Sequence, residues 1–404
     1  MRKLIIFLLT AAVVAASADV AAAKKKVKTF DLGKPFGWCV CSSRTSGDDY
    51  VLTGGRGRSI TLRSDGSDMR KALMSAVKEY DEVVLDGSAG DFVLSSLVNF
   101  KELKGRTIRG INGATLRTAF TLTPEIVSGL KELHLEQYPS SAGSGGRLFG
   151  DDYKGAFKNP RISEAQELHT RLAMIGELRD SSETYRNSGI FRFNDCENII
   201  IRDIAFIGPG SVDVGASDLL TLVGSSHVWV DHCLFQDGMD GNFDIVTRSD
   251  FVTVSWCVFR YTDKCFSHPL SCLVAASNSE SQGKDNFNVT FAYNHFAEGI
   301  GGRCPMARFG NIHEYCNHFS CGATGGKIGV RHCSAFLLEN NYFSTSKRWI
   351  WLAEDARALR LCGNYMEGGE FEGKEFGEID IPYKYDPAPA EYAKTAVPSL
   401  AGPR

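Results

Sequence analysis

A repeat near 23 residues runs through the second half of the chain and limits the possible folds. Seven β-rich runs end in an aromatic residue or a Met, at Phe206, Phe235, Phe259, Phe296, Phe319, Phe343 and Met366. The intervals between these positions are 29, 24, 37, 23, 24 and 23 residues. Regular spacing of this kind, with strand chemistry and without helical periodicity, is typical of a solenoid.

A second column lies two residues before the first. It contains Ile204, Cys233, Cys257, Asn294, Asn317, Asn341 and Asn364. Stacked Asn amides can bond to one another and to turn backbones, whereas an isolated buried Asn would be costly. A leucine-rich-repeat horseshoe is the alternative, but its Leu consensus is absent. The sequence therefore predicts an all-β, right-handed parallel β-helix with the aromatic column inside.

Other segments are predicted to cap or interrupt the solenoid. Apolar residues at helical spacing predict a helix over 67–80, with Ser67 or Asp68 as its cap, that covers the open end of the β-helix. Residues 83–86 and 106–110 are predicted to be the first strands. A long insertion is predicted at about 117–186. The 37-residue interval predicts a projecting loop over 272–285.

The N-terminus has the pattern of an export signal. Met1-Arg-Lys3 is basic, residues 4–16 are apolar, and small residues permit cleavage after Ala18 or Ala23. We therefore expect a signal peptide over 1–23 and one mature domain over 24–404, secreted or periplasmic and without a membrane span. A net charge of −3 indicates no general attraction to nucleic acid, so binding of an acidic substrate requires a local basic patch.

Twelve cysteines follow the predicted signal. Cys39-x-Cys41 lacks a second pair at zinc-site spacing, so metal binding there is not predicted. Cysteines in strand-like segments, such as Cys233 and Cys257, are expected to be buried. An exported protein can form disulfides, but the pairing does not follow from the sequence.

Charged residues recur at the solenoid spacing. From Asp218 to Asp240 is 22 residues, from Asp218 to Asp244 is 26, and from Asp240 to Lys264 is 24. One coil per interval would place these residues on neighbouring strands, about 4.7–4.9 Å apart. Arg303 and Arg308 follow one coil further on. This pattern indicates an oxygen-lined cation site beside a basic cluster, suited to a hard metal ion and a polyanionic substrate.

With these residues in view, the chain resembles the pectate lyases of polysaccharide lyase family one, most strongly over 188–342. Val228-Trp-Val-Asp-His-Cys233 is similar to the family's Trp-Ile-Asp-His-Cys segment. Asp240-Gly-x-x-Asp244 has the short-loop spacing of plant-like members, and Lys264 follows Thr262-Asp263 as the family lysine follows its His-Asp. Arg303-x-Pro-x-x-Arg308-x-Gly-x-x-His313 matches the family's arginine motif.

The resemblance implies calcium-dependent β-elimination of (1→4)-α-D-galacturonan by a monomer. By the same resemblance, Asp218, Asp240 and Asp244 are the calcium ligands. Arg303 is the general base, and Lys264 and Arg308 hold substrate carboxylates, with Lys264 also in the catalytic set.

Two alternatives and two departures accompany this interpretation. A pectin lyase acting on methylated chains would not need three aligned aspartates, and a non-catalytic polyuronate-binding β-helix would not need Lys264, Arg303 and Arg308 together. Met306 stands where the family often has a third arginine, and the insertion is unusually long. His232 and His313 are interpreted as packed structural residues, with His313 supporting the arginine segment.

Overall fold

Short parallel strands and turns make up most of the described chain. The computed structural model describes residues 33–119, 121–122, 128, 188–211, 217–265, 268–280, 285–371 and 373–404. The predicted signal peptide, and residues 129–187 of the predicted insertion, lie outside these ranges. Within them, the strands form three sheets, here named A, B and C, with parallel neighbours.

Sheet A has ten strands. In spatial order they are β1 (Ser59–Arg63), β2 (Glu82–Asp86), β5 (Lys104–Ile111), β8 (Glu197–Arg202), β11 (Ser226–Asp231), β14 (Asp250–Ser255), β17 (Asn288–Ala292), β20 (Asn311–Tyr315), β23 (Ala335–Glu339) and β26 (Ala358–Cys362). Strands β2 and β5 confirm the two predicted first strands.

Sheet B has eight strands. They are β4 (Val98–Lys101), β7 (Phe191–Asn194), β10 (Leu220–Val223), β13 (Phe243–Val246), β16 (Cys272–Val274), β19 (Met306–Ala307), β22 (Ile328–Val330) and β25 (Ile350–Leu352). The loop predicted over 272–285 is wrong at its start, because Cys272–Val274 is a strand with Cys272 and Val274 in the core.

Sheet C has nine strands. They are β3 (Phe92–Leu94), β6 (Thr115–Thr118), β9 (Ala205–Ile207), β12 (Leu234–Gln236), β15 (Val258–Arg260), β18 (His295–Phe296), β21 (His318–Phe319), β24 (Tyr342–Phe343) and β27 (Tyr365–Met366). From β7 onward each coil of the chain visits sheets B, A and C in turn. This topology confirms the predicted right-handed parallel β-helix.

The two predicted columns form the interior and one corner of the solenoid. Phe206 and Phe235 stack at 5.0 Å between ring centroids, and the stacking continues along the column to Phe343. In the other column, Asn294 Nδ2 donates to Asn317 Oδ1 at 3.1 Å, and Asn317 Nδ2 donates to Asn341 Oδ1 at 3.0 Å. The repeat therefore predicted both sets of contacts.

The helices whose bounds fall within the described ranges are short. They are α1 (Arg70–Glu79), α2 (Ala390–Thr395) and α3 (Val397–Leu400), with 3₁₀ helices at Gly37–Val40, Gly87–Ala89 and Cys321–Thr324. Helix α1 confirms the predicted helix and buries Leu73 and Val77 in the core. Its N-cap is Met69, and Asp68 instead accepts hydrogen bonds from the backbone of Arg70 and Ser95. In the described ranges no helix is long and apolar enough to cross a membrane.

Candidate active site

The three predicted aspartates lie on two neighbouring coils of sheet B. Asp244 belongs to β13, where Phe243 and Ile245 on either side of it enter the core. Its register partner on β10 is Thr221, and Asp218 lies just before that strand. Asp240 lies in the turn before β13. The alternation of the strand thus turns the Asp244 carboxylate away from the core, towards the outer face of sheet B.

Asp218 packs against the Asp240–Gly241 turn. The amide of Leu219 donates to Gly241 O at 3.3 Å. A Cβ atom at Gly241 would lie 2.5 Å from Asp218 Oδ1, closer than real Cβ contacts allow. Gly241 is therefore required for the carboxylate of Asp218 to approach this turn.

The carboxylate of Asp218 has few hydrogen-bond donors. Asp218 is buried, and its Oδ1 has no hydrogen-bond partner among the described residues. Its Oδ2 accepts only a long bond from Thr221 Oγ1, at 3.4 Å. A buried carboxylate oxygen without a donor is costly, and a bound cation would relieve that cost.

The charges of these carboxylates act on one another. Burial raises the pKa of Asp218 well above its usual range, and the charges of Asp244 and Asp240 raise it further, whereas Arg303 lowers it. Burial raises the pKa of Asp244 to about 7, against the opposing effect of Arg303. Among the described residues, however, no group of three or more His, Cys, Asp or Glu side chains is arranged, as the side chains stand, so that it could hold a metal ion. The aspartates are neighbours whose charges act on one another, and Arg303 opposes that effect.

Arg303 is held at the edge of this acidic group. Its carbonyl accepts a hydrogen bond from the Cys272 amide at 2.8 Å, which joins it to β16. Its φ is +57°, in the left-handed region, but several other turns of this solenoid share that conformation. The positive φ therefore reflects the turn, and what distinguishes Arg303 is that its charge acts on Asp218 and Asp244.

Arg308 follows β19 and is half-buried. Its Nη1 donates to Ala275 O at 2.8 Å. Burial lowers the pKa of Arg308, and the positive charges of Arg303 and Arg331 lower it further. The two predicted arginines are therefore close enough for their charges to interact, and Arg331, which was not predicted from the sequence, joins them. The repeat could have found Arg331, because it follows Arg308 by 23 residues, one coil.

Lys264 lies on the turn after β15. Thr262 fixes this turn, because its amide and its hydroxyl both donate to the buried Asp237, at 2.7 and 2.8 Å. The carbonyl of Lys264 packs against Gly210, where a Cβ would lie 2.5 Å away. The lysine thus has a fixed backbone position on the coil that follows Asp240, as the spacing predicted.

Three histidines bear on the interpretation of the site. His268, which was not predicted from the sequence, has Nε2 3.5 Å from Asp240 Oδ1. His313 does not support the arginine segment, because its ring bonds Glu339 and the Tyr383 hydroxyl on the outside of sheet A. His232 is buried, bonded to Asp231 and stacked on Trp256, as its structural interpretation requires.

Comparison with known proteins gives the family. A family model described as pectate lyase matches residues 164–397, more than half of the chain. The chain belongs to the pectate lyase family. Trigalacturonate-bound pectate lyase from Bacillus sp. N165 has the same fold, with a TM-score of 0.58 and 15% identity over 91% of this chain and 98% of that one.

Curated relatives in the pectate lyase family match parts of the chain. The pectate trisaccharide-lyase of Thermotoga maritima is 37% identical over 142 residues, 33% of this chain and 37% of that enzyme. Probable pectate lyase A of Aspergillus niger is 28% identical over 264 residues, 63% of this chain and 77% of that protein. The first match thus spans little more than a third of the relative's length.

One departure from the pectate lyase pattern has a structural basis. Met306, at the position of the family's third arginine, is buried and pairs with Gly329 across β19 and β22. A Cβ at Gly329 would lie 2.5 Å from Met306 Cγ, so the thioether side chain lies across this glycine. An apolar contact therefore occupies the place where a further substrate-binding charge was expected.

Proposed function

We propose that the protein cleaves (1→4)-α-D-galacturonan (polygalacturonate) by calcium-dependent β-elimination, giving 4,5-unsaturated oligogalacturonides. The observation that carries the proposal is the position of Arg303 beside the buried carboxylates of Asp218 and Asp244 on sheet B, with one oxygen of Asp218 lacking a hydrogen-bond partner among the described residues. The family supports the reaction class, since the relatives above are named as pectate lyases.

Asp218, Asp240 and Asp244 are the residues that would hold calcium. Carboxylate oxygens are the ligands this hard cation prefers, and the unpartnered Oδ1 of Asp218 is suited to it. Bound calcium would supply positive charge that attracts a substrate uronate and makes the adjacent C5 proton more acidic. The aspartates on their own would repel that uronate.

Arg303 is proposed as the base that removes the C5 proton, after which the C4–O bond breaks. An isolated guanidinium holds its proton up to a pKa of about 12 or more. Arg303 lies among charges of both signs, because its charge acts on Arg308 and on the carboxylates of Asp218 and Asp244. Calcium held by these aspartates would neutralise them, so cation binding and the action of Arg303 as base are coupled in this proposal.

Arg308 and Lys264 are proposed to bind substrate carboxylates. Arg308 keeps one side of its guanidinium on Ala275 O, so the remaining N–H groups have a defined direction. Lys264 offers a compact charge from the neighbouring coil. Together they would orient the uronate whose C5 proton faces Arg303.

The test of the function is product formation from defined substrates. The purified protein is incubated with polygalacturonate and, separately, with highly methylated pectin, with added calcium or with chelator. We expect absorbance of the unsaturated uronide to appear on polygalacturonate with calcium and to disappear with chelator. Failure to form this product from either substrate, with or without calcium, would contradict the lyase proposal.

The runner-up is a pectin lyase, and Met306 is the observation that favours it. An uncharged side chain in place of an arginine suits a methyl ester better than a free carboxylate. Chelator-resistant cleavage of methylated pectin would establish this alternative. Binding of polygalacturonate without any cleavage would instead indicate the non-catalytic β-helix.

We also propose that the protein is exported as a monomer, as a single domain over 24–404. The basic start and the apolar run of residues 1–23 support this proposal. N-terminal sequencing of exported protein tests it: a start after Ala18 or Ala23 is expected, and an intact Met1 would contradict it. Light scattering gives the oligomeric state.

A further inference from the structure

Two buried thiols face each other next to the arginine segment. The Sγ atoms of Cys304 and Cys321 are 3.8 Å apart, and the two residues are 0% and 1% exposed. Cys304 lies just before β19, and Cys321 begins the 3₁₀ helix that follows β21. The two cysteines therefore lie at opposite ends of a segment that makes up most of one coil.

The backbone around the pair is fixed and leaves room for both sulfur atoms. The Cys304 amide donates to Lys327 O at 2.8 Å. Lys347 Nζ donates to Gly322 O at 3.1 Å and also to Gly326 O. A Cβ at Gly326 would lie 2.3 Å from Cys321 Sγ and 3.2 Å from Cys304 Sγ, so only glycine fits beside the pair.

We propose that Cys304 and Cys321 form a disulfide when the chain folds in an oxidising compartment. A disulfide bond is about 2.05 Å long, so side-chain rotation must bring the sulfur atoms about 1.8 Å closer. In the reaction one protein thiolate attacks a small disulfide such as oxidised glutathione, which forms a mixed disulfide and releases one glutathione thiolate. The second protein thiolate then attacks the protein sulfur of the mixed disulfide and releases the other glutathione thiolate. Two protein thiols lose two protons and two electrons, and the oxidant leaves as two thiols. Because the thiols are buried, the exchange takes place before the coil closes.

The bond would close the segment from Cys304 to Cys321, which contains β19, β20 and β21. The segment begins one residue after Arg303. A cross-link there restricts the unfolded chain and holds the turn that carries Arg303. The inference rests on the thiol geometry and stands whether or not the lyase proposal is correct.

The test is mass spectrometry of protein refolded with reduced and oxidised glutathione. The product is denatured in iodoacetamide without reductant and digested with trypsin. Trypsin releases Cys304 in peptide 304–308, whereas Cys316 and Cys321 share peptide 309–327. We expect these two peptides to be joined, two hydrogen masses below their sum, and to separate on reduction.

Cys316→Ser is the matched control, because Cys316 is buried and its thiol donates to Ala388 O at 2.9 Å. The joined peptides should persist in Cys316→Ser and vanish in Cys321→Ser. The oxidised protein should also melt on the order of 5 °C above protein refolded under reduction. Recovery of Cys304 and Cys321 both alkylated from the oxidised, folded wild type would overturn the proposal.

Discussion

The Asn column and the aspartate group both contain buried polar side chains, yet they differ in how many of their hydrogen-bonding atoms have a partner. Asn317 Oδ1 accepts from the backbone and the side chain of Asn294, and its Nδ2 donates to Phe291 O and Asn341 Oδ1. Asp218 Oδ1 has no hydrogen-bond partner among the described residues. The amides of the column bond to one another and stabilise the coil, whereas the aspartate group has a carboxylate oxygen available to a ligand.

The largest expected effect is on catalysis at Arg303. Arg303→Lys keeps the charge but changes its reach and shape, so we expect turnover on polygalacturonate to fall by about 100-fold or more. Substrate KM should change little. The matched control is Arg109→Lys, a surface residue on sheet A that pairs with Glu82. Turnover of Arg303→Lys near that of the control at neutral and alkaline pH would remove Arg303 from the role of base.

Asn317→Ala should break the column without touching the site. It removes four hydrogen bonds and leaves buried partners unsatisfied, so the free energy of unfolding should fall by about 2–4 kcal/mol. Denaturant unfolding measures this, with the exposed Asn99→Ala as control, for which a change within about 0.5 kcal/mol is expected. Equal free energies of unfolding of the two variants would show that the hydrogen bonds of the column do not stabilise the fold.

The column was predictable from the sequence because it repeats, and the site was predictable only where it follows the same repeat. Phe235, Asn317 and Asp244 occupy positions set by coil length, so spacing located them. The strand Cys272–Val274 was missed because it is three residues long and lies within the 37-residue interval. His268 was missed because its approach to Asp240 depends on how a non-repeating turn folds.

Glu314 is a buried polar residue that belongs neither to the Asn column nor to the aspartate group. It lies on β20 between Phe291 and Leu338 of the neighbouring strands, fully buried, and neither carboxyl oxygen has a partner among the described residues. Burial raises the pKa of Glu314 well above its usual range. The folded state therefore keeps the proton that the unfolded chain releases, and stability should fall as pH rises above about 4.5.

Glu314→Leu should remove this cost. Because the site lies among apolar side chains, we expect the variant to gain about 1–3 kcal/mol in free energy of unfolding at pH 8, with unchanged activity. The gain should shrink towards pH 4, where the carboxyl is neutral in both states. A loss of stability at pH 8 would show that Glu314 has a stabilising partner after all.

A further pH-dependent effect is expected at Asp244. Its pKa is raised from 3.8 to about 7, so its neutral form stabilises the fold at low pH. That contribution should be lost as pH rises from about 4 to about 7, at up to about 1.4 kcal/mol per pH unit. Chemical unfolding in chelator should show the slope, and Asp244→Asn should reduce it. An identical slope in the variant would assign the titration to another group.

The most direct test of the central claim, that the aspartate group forms a cation site, is calorimetric titration of calcium at pH 8. Wild type, Asp218→Asn and Asp91→Asn are compared, the last being a surface aspartate that pairs with Arg117. We predict that wild type and Asp91→Asn bind calcium alike and that Asp218→Asn binds at least about 10-fold more weakly while remaining folded. Equal calcium affinity of all three proteins would contradict the account.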